Sequence, residues 1–202
     1  MFTGIIRNLG EVLSSAQKND DATFVIIVEN NFIDKVRIGD SISVNGACMT
    51  VESKTKDTFN FTAVSESLKK SNLGILKTGD SINLESSMTL ASVVDGHLVS
   101  GHVDCTGIIS EIGFNGTSHE FFVRFPAEFS KYVIYKGSVC LNGISLTVAE
   151  ITDEGESDTE IKIAVIPHTY ENTNLKYARQ KDYVNLEFDI IGKYISRMIP
   201  AK

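Results

Sequence analysis

Proline occurs only three times in 202 residues, so segments that favour strand are rarely interrupted. Cysteine also occurs three times, at Cys48, Cys105 and Cys140, an odd count with no close pair. That pattern excludes a disulfide framework and a thiolate zinc site, which need even counting or close spacing. Three free thiols point to a reducing compartment, most simply the cytoplasm. Histidine is sparse, at His97, His102, His119 and His168. His97 and His102 stand five apart, a poor spacing for two ligands on one helix face, and no carboxylate cluster joins them, so no metal is expected. No apolar run approaches the roughly 20 residues of a membrane span. The opening MFTGIIRNLGEV lacks a basic region followed by an apolar core, and reads as an early strand rather than a secretion signal. Positive charge is in deficit, with 19 Lys+Arg against 26 Asp+Glu. The net charge of −7 is spread along the chain, which argues against nucleic acid or an anionic membrane as partner.

Hydrophobic residues at 42% and charged residues at 22% suit a soluble globular protein with a real core. Short runs rich in β-branched and aromatic residues dominate, among them TFVIIVE, DSISVNGACMTVE, FNFTAV, EFFVRFP, GSVCLNGISLTVAEI and DYVNLEFDI. Turn residues separate them at fairly regular intervals, which favours an all-β antiparallel sandwich or barrel over a βαβ fold.

The chain is written twice. Thr3-Gly4 matches Ser100-Gly101, Gly10 matches Gly107, Phe24 matches Phe121, and Asn45-Gly46 matches Asn142-Gly143, every pair 97 residues apart. VNGACMTV at 44–51 thus returns as LNGISLTV at 141–148. Further on, Glu66-Ser67 matches His168-Thr169 and INLE at 82–85 matches VNLE at 184–187, now 102 apart. The five extra residues fall in the interval holding the acidic run DEGESDTE, expected to form a longer hairpin loop. Two registers joined by one insertion imply two homologous domains, residues 1–95 and 96–188, each a barrel of about six strands. Two polar stretches, SESLKKSNLGILK and HTYENTNLKYARQ, are expected to form short helices or turns, with Ser65 or Thr169 as a cap. The final segment, 189–202, carries Ile190, Ile191, Tyr194, Ile195, Met198 and Ile199 at helical spacing. So short a helix needs something to pack on, either its own domain or a neighbouring subunit.

The ordered set MFTGII, VNGACMTV, SNLGILKTGDSINLE, GHLVSGHVD, KGSVCLNGISLTV and IPHTYENTNL resembles the riboflavin synthase α-chain family over residues 1–199. The resemblance implies two tandem six-stranded antiparallel Greek-key barrels plus a C-terminal α-helix, assembled as a homotrimer. It implies a transferase that dismutates two molecules of 6,7-dimethyl-8-ribityllumazine, with no cofactor and no metal. The site would lie between the N-barrel of one subunit and the C-barrel of the next, and a separate lumazine synthase is a candidate associate. Mapped by motif, the first barrel's pocket would hold Gly4, Ile5, Ile6, Ser41, Cys48, Met49, Thr50, Thr62, Ala63, Val64, Ser65, Glu66 and Ser67. The second would hold Gly101, His102, Val103, Lys136, Ser145, Leu146, Thr147, Ala164, Val165, Ile166, Pro167, His168 and Thr169.

Strand alternation puts Cys48 with Thr50, and Ser145 with Thr147, on one face, while Met49 and Leu146 point the other way. The copies differ where chemistry would sit: Ile5 becomes His102, Cys48 becomes Ser145, and Glu66 becomes His168. Two equivalent binding sites would not need this; a donor and an acceptor site would. Cys48, His102, Ser145 and Ser41 are the catalytic candidates, with His102 of the facing barrel relaying protons to a lumazine activated near Cys48. His97 would brace the interdomain turn and is a second-tier site candidate, His119 would be a solvent-exposed loop residue, and Asn142 stands where relatives often have Asp. The alternative on the same fold is a non-catalytic carrier of lumazine or flavin. A flavin reductase barrel would need a Gly-rich βαβ segment, which is absent from the sequence.

Overall fold

A computed structural model describes residues 1–199, apart from the side chains of Asn30 and Asn31, so the last three residues of the expected 189–202 segment lie outside it. The first half supplies β1 (Asn8–Lys18), β2 (Asp21–Val28), β3 (Ser41–Val44), β4 (Ala47–Thr50), β5 (Ser53–Lys54), β6 (Thr58–Ala63) and β7 (Ser81–Ser86). The second supplies β8 (Cys105–Phe114), β9 (His119–Pro126), β10 (Ser138–Leu141), β11 (Ile144–Glu154), β12 (Asp158–Val165) and β13 (Tyr183–Phe188). These six close into an antiparallel barrel in the order β10-β11-β12-β9-β8-β13. In the first half the strand matching β11 is cut at Val51-Glu52 into β4 and β5, so the sheet has seven strands, β4-β3-β7-β1-β2-β6-β5. Its two edges are therefore neighbours along the chain, and the Glu52 amide still reaches the Asn60 carbonyl at 3.0 Å.

Alternation fills each barrel. In β2 the residues Ala22, Phe24, Ile26 and Val28 turn inward, as do Phe59, Phe61 and Ala63 of β6. Their counterparts Phe121, Val123 and Phe125 of β9 and Ile161, Ile163 and Val165 of β12 fill the second core. Each fully buried side chain of this size contributes about 1.5–3 kcal/mol.

The five-residue insertion departs from the expected loop. Ile144–Glu154 and Asp158–Val165 run on as paired strands through most of the acidic stretch. Part of the extra length is taken up by bulges at Val148/Glu150 and Ile151/Asp153, and the rest lengthens the two strands. The caps also differ. Helix α1 (Ser65–Lys70) starts after Val64, and α2 (Pro167–Glu171) starts after Ile166, neither with a side-chain cap. Ser71 and Thr173 are the residues that cap, each accepting from the amide two residues on, at the start of a 3₁₀ turn.

The two barrels meet back to back through their NG turns. Asn45 and Asn142 have φ of 47° and 46°, and Gly46 and Gly143 follow at 85° and 82°, the left-handed pair of a type I′ hairpin. A methyl group on Gly46 would lie 2.8 Å from the Gly143 amide nitrogen, and one on Gly143 would lie 2.8 Å from that of Gly46. Around this axis six asparagines interlock. Asn83 Nδ2 donates to the Asn142 carbonyl at 2.8 Å, and Asn185 Nδ2 donates to the Asn45 carbonyl at 2.7 Å. Asn72 and Asn174 donate their amides to the Asn185 and Asn83 side chains at 2.6 and 2.7 Å. Asn142 accepts from the Asn185 amide at 2.8 Å and from Asn72 Nδ2 at 3.2 Å. It is a buried member of this network, a structural post in which its side-chain oxygen is what matters.

Helix α3 (Ile190–Met198) is capped by Asp189, whose side chain accepts from the Ile191 amide at 2.9 Å. Lys193 pairs with Asp104 at 2.6 Å and holds one face of the helix to the second barrel. Ile191, Tyr194, Ile195 and Met198 remain exposed on the other, Tyr194 at 67% and Met198 at 80%.

Candidate active site

The two halves exchange their leading segments. Phe2 and Val99 form an antiparallel bridge, the Phe2 amide donating to Val99 at 2.7 Å and the Val99 amide to Phe2 at 3.0 Å. From this crossing each segment passes to the other barrel. The Ser145 amide donates to the Gly4 carbonyl at 2.7 Å, and the Cys48 amide donates to the Gly101 carbonyl at 2.8 Å. Ile6 packs on the second core and Val103 on the first. The grouping expected from the motifs is therefore corrected: Gly4-Ile5-Ile6 belongs with Ser145, and Gly101-His102-Val103 belongs with Cys48. Only glycine fits at either crossing. Gly4 and Gly101 have φ of 75° and 84°, and a methyl on them would lie 2.6 Å from the Cβ of Ser145 and of Cys48 respectively.

The first-barrel site is built on β4 and β6. Met49 points into the core at 7% exposure, leaving Cys48 and Thr50 on the outer face as alternation requires. Ser41 pairs with Thr50 across the β3–β4 ladder. Thr62 Oγ1 reaches Glu52 and Thr23 Oγ1, each at 3.0 Å. Ala63 is buried while Val64 and Glu66 face outward, and Ser65 anchors α1 by donating its amide to Asp21 at 2.9 Å. Ser67 accepts the Ser71 hydroxyl and amide at its carbonyl. Glu66 is held by Lys70 at 2.7 Å, and that hydrogen bond lowers its pKa below the usual carboxylate value. Cys48 lies against an apolar cluster of Phe2, Val99 and Cys140. His102 is exposed one residue beyond Gly101, its amide turned onto the Ser100 hydroxyl at 3.2 Å.

The second-barrel site is built on β11 and β12. Leu146 packs on the core, leaving Ser145 and Thr147 outward. Val165 is buried, whereas Ala164, Ile166, Pro167 and His168 are exposed and Thr169 is half-buried on α2. Lys136 occupies a left-handed turn, φ 63°, where the first half has Gly39; its amide donates to Val148 at 2.9 Å, beside Thr147. His168 and Ile6 also line a groove of about 1020 Å³ between the barrels, with Arg7, Asn172 and Tyr177.

His97 is the residue that motif matching passes over. It is 9% exposed, its amide donates to the Thr3 carbonyl at 3.2 Å, and its Nδ1 lies 2.7 Å from Ser145 Oγ. Its Nε2 is buried with no partner among the described residues. Burial lowers the His97 pKa, with Asp189 pulling weakly the other way. The second site is thus a hydroxyl backed by a mostly neutral imidazole, and the first is a thiol with an exposed imidazole nearby. A repeat search could not find His97, because the matching position would precede residue 1. His119 also differs from its expected exposure: its ring stacks on Tyr170 at 3.6 Å and meets Phe114 at 5.1 Å, closing the end of the second barrel beside α2.

The lumazine binding domain family matches this chain twice, at residues 3–87 and 100–189. A riboflavin synthase of Actinobacillus pleuropneumoniae is 39% identical over all of this chain and 91% of its own length. That of Mycobacterium bovis is 40% identical over 98% of both, and that of Bacillus subtilis is 35% identical over 98% and 90%. The chain belongs to the riboflavin synthase family. As a member of that family it has both halves of the lumazine-binding repeat, and the two matched segments fall on the two barrels. Among solved structures, LumP complexed with riboflavin superposes with a TM-score of 0.85 over 93% of this chain and 99% of LumP, at 21% identity. LumP complexed with 6,7-dimethyl-8-(1'-D-ribityl) lumazine gives 0.82. At that identity the likeness is one of fold. Among the described residues no helix is long and apolar enough to cross a membrane, and no three His, Cys, Asp or Glu gather as metal ligands.

Proposed function

We propose that this protein transfers a four-carbon unit between two molecules of 6,7-dimethyl-8-ribityllumazine, yielding riboflavin and 5-amino-6-ribitylaminouracil. The observation that carries this reading is the pair of matched but chemically unlike sites on one chain. Each half, residues 1–95 and 96–188, would contribute one lumazine site. A shared strand frame gives both the same backbone groups to read the same heterocycle. Cys48 against Ser145 then lets one site activate its lumazine differently from the other.

No organic cofactor is required by this chemistry, because the C7 methyl of the lumazine is acidic and the ring itself takes up electrons. The protein has to position two substrates, and positioning alone can supply several kcal/mol of the barrier. Cys48 would act at the first site as nucleophile or proton acceptor, with His102 exchanging protons beside it. At the second site His97 would hold and polarise the Ser145 hydroxyl. Ser41, Thr50, Thr62 and Glu66 on one side, and Thr147, His168 and Thr169 on the other, suit the ribityl hydroxyls.

Thr50 and His102 at one site and Thr147 and His168 at the other are exposed, so a second subunit would close a face-to-face pair. The unpartnered apolar stripe of α3 supports a homotrimer in which the N-barrel of one subunit meets the C-barrel of the next. A cytoplasmic location fits the three free thiols, and association with a lumazine synthase would supply substrate directly.

Incubating the purified protein with 6,7-dimethyl-8-ribityllumazine alone tests the reading. Riboflavin should appear by absorbance with no added cofactor. Saturable binding without riboflavin would leave a lumazine or flavin carrier.

A further inference from the structure

Two buried carboxylates stand at matching places in the halves, Glu85 on β7 at 5% exposure and Glu187 on β13 at 2%. Among the described residues neither has a Lys or Arg partner within ion-pair distance. Burying an unpaired charge is costly, so what each carboxylate accepts is informative. Glu85 Oε1 accepts the Thr3 amide at 2.8 Å and the Thr3 hydroxyl at 2.6 Å, and its Oε2 accepts the Gly4 amide at 3.0 Å. Glu187 Oε1 accepts the Ser100 amide at 2.6 Å and hydroxyl at 2.7 Å, and its Oε2 accepts the Gly101 amide at 2.9 Å.

Neither carboxylate holds its own barrel's site. The glycine it grips turns its carbonyl the other way and receives the amide of a candidate site residue on the opposite barrel. From Glu85 the path runs through the Gly4 amide, across that one residue, to the Ser145 amide at 2.7 Å. From Glu187 it runs through the Gly101 amide to the Cys48 amide at 2.8 Å. We propose that Glu85 and Glu187 are crossed positioning residues, Glu85 of the first barrel setting the geometry of the Ser145 site on the second, and Glu187 of the second setting that of the Cys48 site on the first.

The chemistry requires a carboxylate. Three donors converge on two oxygens, and an ionised carboxyl accepts at both with no hydrogen of its own to place. Burial raises the Glu85 pKa and the bonds from Thr3 and Gly4 oppose that rise, while a glutamine amide would present N–H to the glycine N–H and lose that bond. The arrangement also ties the sites together, since the carboxylate behind each one belongs to the barrel that carries the other.

Reading the sites as lumazine sites rests on the proposed function, but the positioning itself is measured without substrate. Amide hydrogen exchange on the full chain, resolved by residue, compares wild type with E85Q and E187Q. E85Q should speed exchange at Ser145 by about tenfold, as the loss of one hydrogen bond to a charged group allows, while leaving Cys48 protected. E187Q should do the reverse. Thr3→Ala and Ser100→Ala remove only the hydroxyl bond to each carboxylate; they should show the same crossed pattern more weakly, and they carry the test if a glutamine variant fails to fold. In lumazine titrations E85Q should weaken one class of site and E187Q the other. Loss of protection at both amides together, or at the residue on the glutamate's own barrel, would overturn the proposal. A crossed exchange pattern in a protein that fails to bind lumazine in the titrations would uphold the positioning and sink the functional reading.

Discussion

His97 Nδ1 lies 2.7 Å from the Oγ of Ser145. Burial depresses the His97 pKa, so the fold favours the neutral ring. A histidine lowered in this way adds stability that is present above its unfolded value and is lost as pH falls through the folded one. Thermal unfolding followed between pH 7 and 4 should therefore show wild type losing more stability below about pH 6.5 than His97→Gln. Equal slopes would place the ring outside this linkage. On the proposed role of His97 in polarising the Ser145 hydroxyl, the same variant should cut turnover roughly 100-fold.

The thiol at the other site makes a separate prediction. Cys48→Ser keeps the shape and the amide bond to Gly101 but removes a strong nucleophile. Turnover should fall at least about tenfold while lumazine affinity changes by less than about threefold. Normal turnover in Cys48→Ser would assign the chemistry elsewhere.

The crossings depend on glycine more than the turn at Gly39 does. Gly39 and Gly101 have φ of 90° and 84°, yet a methyl on Gly39 meets nothing, whereas one on Gly101 lies 2.6 Å from Cys48 Cβ. Gly39→Ala should cost about 1 kcal/mol, the conformational penalty alone. Gly101→Ala should cost several times that and abolish activity; unfolding midpoints and initial rates compare them.

At the asparagine axis, a polar-to-apolar change should be far worse than a change that keeps the acceptor. Asn185→Leu strands the Asn72 amide and the Asn45 carbonyl, for a loss of roughly 3 kcal/mol or more in urea unfolding. Asn142→Asp still accepts from Asn185 and Asn72 and should cost less than half as much.

The exposed stripe of α3 makes an assembly prediction. Tyr194→Lys with Met198→Lys should turn the proposed trimer into a monomer in sedimentation velocity, with activity falling in parallel. Full activity in a monomer would contradict a site shared between subunits.

The sequence made the duplication, the strand content and the C-terminal helix plain, because hydrophobic alternation and the offsets of 97 and 102 are local or self-referential signals. The exchange of segments was not legible. Thr3-Gly4 and Ser100-Gly101 have the same pattern, so either could seat on either barrel, and only the Phe2–Val99 bridge decides it. His97 stood only in the second rank, and its contact with Ser145 was not legible, because the repeat offers it no counterpart. The acidic insertion looked like a loop by composition, yet its paired backbone groups continue the ladder while Asp153, Glu154 and Glu156 face solvent. Capping by Ser71 and Thr173 serves short 3₁₀ turns, whose sequence signals are weaker than those of longer helices.

The most direct measurement of the account is a crystal structure of the protein with riboflavin or 6,7-dimethyl-8-ribityllumazine bound. It should show two heterocycles per chain, one over Cys48, Thr50 and Gly101-His102, the other over Ser145, Thr147 and Gly4-Ile5. A single heterocycle per chain, or one bound away from both crossings, would contradict it.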